Sequence, residues 1–285
     1  MGKGIVMVEK SPKVAIAILI PVWNCADYLP GCLDSILAQT FEHYKVILFD
    51  DCSTDGSNVI CRDYAMYHPD KIQGIENWNW GERRWNGGAR NKLLYEMKRL
   101  DVNAEYVLFM DGDDKFVDNT VLQRVWDFTL EQGCPDVTRL SYTKKNPDGK
   151  YITKIIKDTT PAEMAHNTKV APWTKLVKKK LLEQVKFPEN TLFEDVTHHL
   201  ALSDIVETVA STDFPVIEWN RCNKNSVSTA ISPKRMSSAF RFVADLMDLK
   251  LTKEYTEERR AVKIRDACNN LGIDFDYIDW KKVCC

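Results

Sequence analysis

The chain is poor in several features that would have decided its class at once. Its longest apolar stretch, Val14 to Val22, is half the roughly 18 residues of a membrane span, and it suits a buried strand. No secretory core follows the N-terminal Lys3, Glu9 and Lys10, so a cytoplasmic location is expected. The nine cysteines are odd in number, and none stands in the C-x-x-C spacing of a zinc or redox site, which favours reduced thiols. Lys plus Arg number 39 against 41 Asp plus Glu, so the net charge of -2 gives no global attraction to nucleic acid or anionic membrane. No repeat and no low-complexity tract is present.

What remains is an ordinary globular composition, 44% hydrophobic over 285 residues, enough for one large α/β domain with an appendage. From Val14 to about Ser141 short apolar runs alternate with helical patterns, which predicts βαβ units and a mostly parallel sheet. A first strand over Val14–Ile20 is stopped by Pro21, and Leu29, Leu33, Ile36 and Leu37 then fall on one helical face. A second strand, Lys45–Phe49, runs into Asp50 and Asp51. Ser53, Thr54 and Asp55 are then natural N-caps for a helix carrying Ile60, Tyr64 and Tyr67. A weak strand near Ile72–Ile75 leads to a loop with Trp78, Trp80, Trp85, Gly87 and Gly88, then a helix, then a strand over Tyr106–Met110. After that come a hairpin around Asn146-Pro147-Asp148-Gly149, a helix opening at Phe193-Glu194-Asp195, and a strand at Val216–Trp219. Beyond Pro233 a helical stripe of Met236, Phe240, Val243 and Met247 would suit a cap on the site, a membrane contact or a homo-oligomer surface.

The strand at Tyr106–Met110 ends in Asp111-Gly112-Asp113-Asp114. Carboxylates crowded at a strand end repel one another unless compensated, and Mg²⁺ or Mn²⁺ is the usual partner for such hard oxygen ligands. A solvated turn with capping aspartates is the bland alternative. Asp50 and Asp51 end a neighbouring strand, where open α/β sheets bind ligands, or else they cap the next helix. Glu194 and Asp195 start a helix whose positive end favours ionised carboxylates, and helix-start acids they would be without further information.

Five blocks in order, A-I-L-I-P-V-W-N-C, V-I-L-F-D-D-C-S-T-D-G-S, N-G-G-A-R-N, Y-V-L-F-M-D-G-D-D and P-W-T-K-L with F-P-E-N-T-L-F-E-D-V, resemble a family-2 glycosyltransferase of GT-A fold. That resemblance implies a GT-A domain over residues 14–228, its nucleotide-binding half 14–115 and its acceptor half 116–228, between an N-terminal extension 1–13 and a C-terminal helical extension 229–285. It implies inverting transfer from a UDP-, GDP- or dTDP-sugar to an acceptor hydroxyl. By resemblance Pro21, Trp23 and Asn24 cradle the nucleotide, Asp51 meets the base, and Arg83 or Arg90 lies near base or phosphates. Asp111 approaches the ribose, Asp113 holds the metal, and Asp195 is the catalytic base with Glu194 in support. Trp173 and Lys175 fall on the acceptor side, with Lys175 reaching a phosphate. His198 either joins the site or is an ordinary helix residue. Cys52 stands where the family has Gly, and Trp23 where it has Tyr or Phe.

A glycan or glycoconjugate is the expected acceptor. A nucleic acid is the alternative that the basic run Lys178–Lys180 would serve. A sugar-phosphate nucleotidyltransferase would need a Gly-rich phosphate loop after the first strand, where this chain reads P-V-W-N-C. A non-catalytic nucleotide-sugar-binding relative would be expected to lose some of the carboxylates, all of which are present.

Overall fold

The computed structural model describes residues 14–76, 83–191, 193–223 and 242–270. Trp78, Trp80, Met236 and Phe240, and with them part of the tryptophan-rich loop and half of the C-terminal stripe, lie outside the described residues. Strands β1 (Val14–Val22), β2 (Tyr44–Asp50), β3 (Ile72–Glu76) and β4 (Ala104–Phe109) form a parallel half-sheet in the order β3-β2-β1-β4. Helices α1 (Leu29–Leu37), α2 (Ser57–Tyr67) and α3 (Trp85–Arg99) connect them. β1 is buried on both faces, which is why it reads as one unbroken apolar run.

The sheet continues through β8 (Lys175–Lys178), β6 (Val137–Lys145) and β9 (Val209–Asn220) to the two-residue β5 (Lys115–Phe116), with β7 (Tyr151–Lys154) as the hairpin partner of β6. This second half is mixed: β8 is antiparallel to β4 and β6, while β6 and β9 run parallel with a register shift around Ser141. Two apolar clusters cover the two faces of the sheet. One is built with α1 and with α4 (Val121–Glu131), the other with α3, α6 (Lys179–Leu182) and α7 (Glu194–Ile205). A third, smaller cluster joins Val196 and Leu200 of α7 to Phe242, Leu246 and Ile264. It docks α8 (242–247) and α9 (Glu254–Asn270) onto the main body, close to α5 (Pro161–His166).

Several expectations need correction. Pro21 does not stop β1, whose pairing with β2 runs on through Pro21↔Phe49 to Val22↔Asp50. The pairing with β4 ends at Leu19↔Phe109, so Pro21 has a strand on one side only, where a missing N–H is tolerated. The α2 N-cap is Gly56 in the left-handed region, and Asp55 instead accepts from the Ser57 N–H and hydroxyl. Gly87 and Gly88 belong to α3 rather than to a loop; a Cβ on Gly87 would run into the Pro188 carbonyl oxygen, so the glycine lets the helix approach the segment before α7. Val216–Trp219 is the far end of a strand that begins at Val209. Val243 and Met247 are half-buried and pack against the third cluster, so this part of the stripe faces the chain's own α7 and α9.

Candidate active site

The carboxyl ends of β1, β2 and β4 open on one cleft of about 340 Å³, closed on the far side by the start of α7 and the end of β9. Pro21 and Trp23 line it from β1, Asp51 from β2, and Asp111 and Asp113 from β4. Arg83 and Arg90 reach it from the start of α3, Trp173 from the turn before β8, and Glu194 and Asp195 from the first turn of α7. Residues distant in sequence are therefore brought together, as the motif order implied.

The nucleotide-side details come from backbone geometry. Cys52 takes φ +64°, the left-handed conformation for which the family uses glycine, so the turn survives the substitution. Both Asp51 oxygens accept from the Arg84 N–H, at 2.8 and 2.9 Å. The Arg83 guanidinium lies 3.3 Å from the centre of the Trp23 ring and 4.7 Å from that of Trp85, and burial pulls its pKa down to about 10. Asn24 does not line the cleft. Its side chain accepts from the Thr54 N–H while its own N–H donates to Ser53, so it joins the β1 and β2 loops.

At the β4 end, ligand oxygens of Asp111, Asp113 and Asp114 lie within 4.8 Å of one another. Burial, then the charge of Asp111, pushes Asp113 up to about 6, and Asp113 accepts from Asn223 Nδ2 at 2.8 Å. Asp114 accepts from the Asn220 N–H, while its Oδ2 is buried with no hydrogen-bond partner. Burial and its two neighbours hold the Asp114 carboxyl well above the usual carboxylate range. Three hard oxygen donors with an unanswered buried oxygen fit a small divalent cation.

Arg90 ties the two sides of the cleft together. It is 3% exposed, and donates from Nη1 to Glu194 Oε1 at 2.6 Å and from Nη2 to Asp111 Oδ1 at 3.1 Å. Burial pulls against its charge, and Asp111 and Glu194 more than reverse that. Burial pushes Glu194 up to about 7, with Arg90 opposing and Asp195 adding to the rise. Asp195, on the same turn, is half-buried and faces the cleft.

On the acceptor side one expectation fails and one alternative is decided. Lys175 is buried, its ammonium donating to the carbonyls of Val170 and Ala171, so it cannot reach a phosphate in the cleft. His198 is likewise buried, stacked on Phe187 with ring centres 3.7 Å apart, and burial keeps it neutral. It is a core residue. None of Lys178–Lys180 lines the cleft, and Lys178 pairs with Asp136 at 3.1 Å. Residues the sequence reading passed over are Lys169, Phe193, Trp219, Asn220 and Asn223, all cleft-lining. Only the adjacency of Lys169 to P-W-T-K-L hinted at one of them. Among the described residues no helix is long and apolar enough to cross a membrane, and no disulfide joins the described cysteines.

Comparison with known proteins agrees with this geometry. The model of Glycosyl transferase family 2 matches residues 17–206. Glycosyltransferase GlyG of Streptococcus pneumoniae serotype 4 is 27% identical over 300 residues, covering 92% of this chain and 96% of its own length. Glycosyltransferase GlyA of the same organism is 26% identical over 267 residues, covering 88% of this chain, but the chain spans only 36% of that protein. Among solved structures, S. aureus TarS 1-349 in complex with UDP-GlcNAc superposes with a TM-score of 0.70 at 20% identity, over 90% of this chain and 73% of the other.

Proposed function

The chain belongs to glycosyltransferase family 2 and has the GT-A fold, and from that premise we propose an inverting transfer of a sugar from a nucleoside-diphosphate donor to an acceptor hydroxyl. The observation that supports it most is the meeting of Asp51, Asp111, Asp113 and Asp195, from two strand ends and one helix start, in a single cleft. The GT-A domain is proposed to span residues 14–228 and the C-terminal extension 229–285, of which the described α8 and α9 dock on α7.

In this reading Asp51 and Arg83 hold the base and Asp111 the ribose, with Pro21 and Trp23 forming the floor and wall. Asp113, with Asp114 beside it, would hold Mn²⁺ or Mg²⁺, which when bound neutralises charge on the diphosphate. Asp195 accepts the proton of the acceptor hydroxyl as its oxygen forms a bond to the anomeric carbon. The bond from that carbon to the diphosphate oxygen breaks with its electron pair, and the nucleoside diphosphate leaves. One displacement inverts the centre. Arg90 keeps Glu194 and Asp111 in register, so that the base side and the donor side share one rigid anchor. The TarS complex supports a UDP-sugar donor, and the acceptor is proposed to be a glycan or glycoconjugate.

The test is calorimetric titration with UDP, GDP and dTDP, each with Mn²⁺ and with excess chelator, on the wild type and two variants. Asp195→Asn should bind the preferred diphosphate as the wild type does and lose transfer by about 10²–10⁴-fold. Asp113→Asn should lose the metal-dependent part of nucleotide binding itself. Equal loss of binding in both variants would contradict this division of roles.

A further inference from the structure

The cleft contains a cation to which the reading above gives no role. Lys169 lines it, and its Nζ sits 3.6 Å from the centre of the Trp219 ring, 4.5 Å from that of Trp173 and 5.0 Å from that of Tyr142. The three rings brace one another, with centres 5.1 to 6.1 Å apart, so they form a fixed box around the ammonium. The backbone is fixed as well: the Lys169 N–H donates to Asn167 Oδ1, and its carbonyl accepts from Arg139 Nη2. Arg139 and Asn167 both bond Asp158, in a buried network beneath the cleft.

A surface lysine wanders, whereas this one is held at backbone and stem. Cation–π contact with three rings uses the charge but none of the N–H donors. Among the described residues Lys169 Nζ has no hydrogen-bond acceptor and no ion-pair partner, and burial pulls its pKa down to about 8 against the opposing charges of Asp114, Asp195 and Asp111. Donors held ready on a half-buried cleft wall suit an anion.

We propose that Lys169 is the phosphate-reading residue of the acceptor half, its boxed ammonium donating to a phosphate oxygen of a bound reactant. This rests on the cleft being the nucleotide-sugar site. The phosphate has two sources, the donor diphosphate or a phosphate group on the acceptor, and the experiment separates them.

UDP and uridine are titrated calorimetrically, with Mn²⁺, into wild type, Lys169→Met and Lys169→Arg, and glycerol 3-phosphate is titrated into each protein preloaded with UDP and Mn²⁺. A loss of about tenfold or more in UDP affinity in the Met variant, with uridine unchanged and Arg restoring most of it, assigns the donor diphosphate. The same loss for glycerol 3-phosphate, with UDP unchanged, assigns the acceptor phosphate. If neither affinity moves, Lys169 is only part of the aromatic packing and the proposal is overturned. Should the Met variant fail to fold, Lys169→Gln, which keeps a stem against the rings, is titrated in its place. Wild type that binds none of UDP, GDP and dTDP would instead sink the nucleotide-site reading, and this proposal with it.

Discussion

The strands of the two halves of the cleft bury side chains of opposite kind, although Asp158 and Glu194 are buried on a loop and a helix of the acceptor half. The nucleotide half buries acids, Asp50, Asp51 and Asp114, at the ends of parallel strands, where backbone N–H groups of Ser53, Arg84 and Asn220 answer several of their oxygens. The acceptor half buries basic side chains, Arg139 and Lys175, on antiparallel-paired strands, and answers them with carbonyls and with Asp158, while burial pulls the Lys175 pKa well below its usual value. The first arrangement readies hard oxygens for a metal and a nucleotide. In the second, the Arg139–Asp158 pair fixes the backbone from which Lys169 projects. Arg90 is the exception that joins them, a cation rooted in the nucleotide half whose partners lie one on each side.

The sharpest way to break this comparison is to remove that joint. Arg90→Met leaves Glu194 and Asp111 without their shared partner, one of them deeply buried, and should cost about 3–5 kcal/mol of unfolding free energy by denaturant titration. Adding Glu194→Gln should recover part of the loss, because the uncompensated buried acid is then gone. A loss below about 1 kcal/mol in the single variant would mean that water already serves these carboxylates and the halves stand independently.

The next prediction sharpens the acceptor side. Asp204, near the end of α7, accepts from the N–H groups of Thr252 and Lys253 and from the hydroxyls of Thr252 and Thr256. Burial alone would raise its pKa, but these hydrogen bonds outweigh that and hold it below the usual carboxylate range. A depressed carboxylate contributes stability above its unfolded pKa and loses it as pH falls through the folded value. Wild type should therefore shed part of its α9 hydrogen-exchange protection as pH falls below about 4. Asp204→Ala should lose about 1–3 kcal/mol at neutral pH and show no such acid step. Unchanged α9 protection in the variant would show that the third apolar cluster alone docks the C-terminal helices.

The difference between the halves also decides what could be read from sequence. Parallel strands buried on both faces announce themselves as apolar runs, and an acid directly after such a run marks the sheet edge where ligands bind, so Asp51, Asp111 and Asp113 were legible. Asp195 became legible only through family resemblance, since a helix-start acid is otherwise unremarked. The placement of Lys169 was not legible. The box around Lys169 is drawn from Tyr142, Trp173 and Trp219, on three separate elements, and no local period connects them. Lys175 was misplaced for the complementary reason: a lysine beside a motif tryptophan looks like a reaching side chain, and only the strand pairing of β8 turns it inward. Asn24 looked like a ligand because it follows the first strand, yet a residue at φ +46° in that loop is better used to join two turns.

The smallest expected effect sets one strained residue in each half against the other. Cys52 at φ +64° and Phe193 at φ +66° both hold the left-handed conformation, which costs a non-glycine residue roughly 1–2 kcal/mol. Glycine relieves that strain but gives the unfolded chain more freedom, by roughly 0.5–1 kcal/mol, so the net gain is small wherever the side chain does nothing else. Cys52→Gly should thus shift stability by less than about 1 kcal/mol and leave UDP affinity unchanged, because the turn is already the one glycine would make. Phe193 caps the start of α7, and its ring lies 5.4 Å from that of Phe242. Phe193→Gly gives up that contact, so the relief of strain should be outweighed by about 1 kcal/mol, with the loss falling on α8 and α9 in hydrogen exchange. If both glycines proved equally neutral, the nucleotide half would hold no advantage in turn rigidity, and the contrast between the halves would reduce to the kind of side chain that the strands of each one bury.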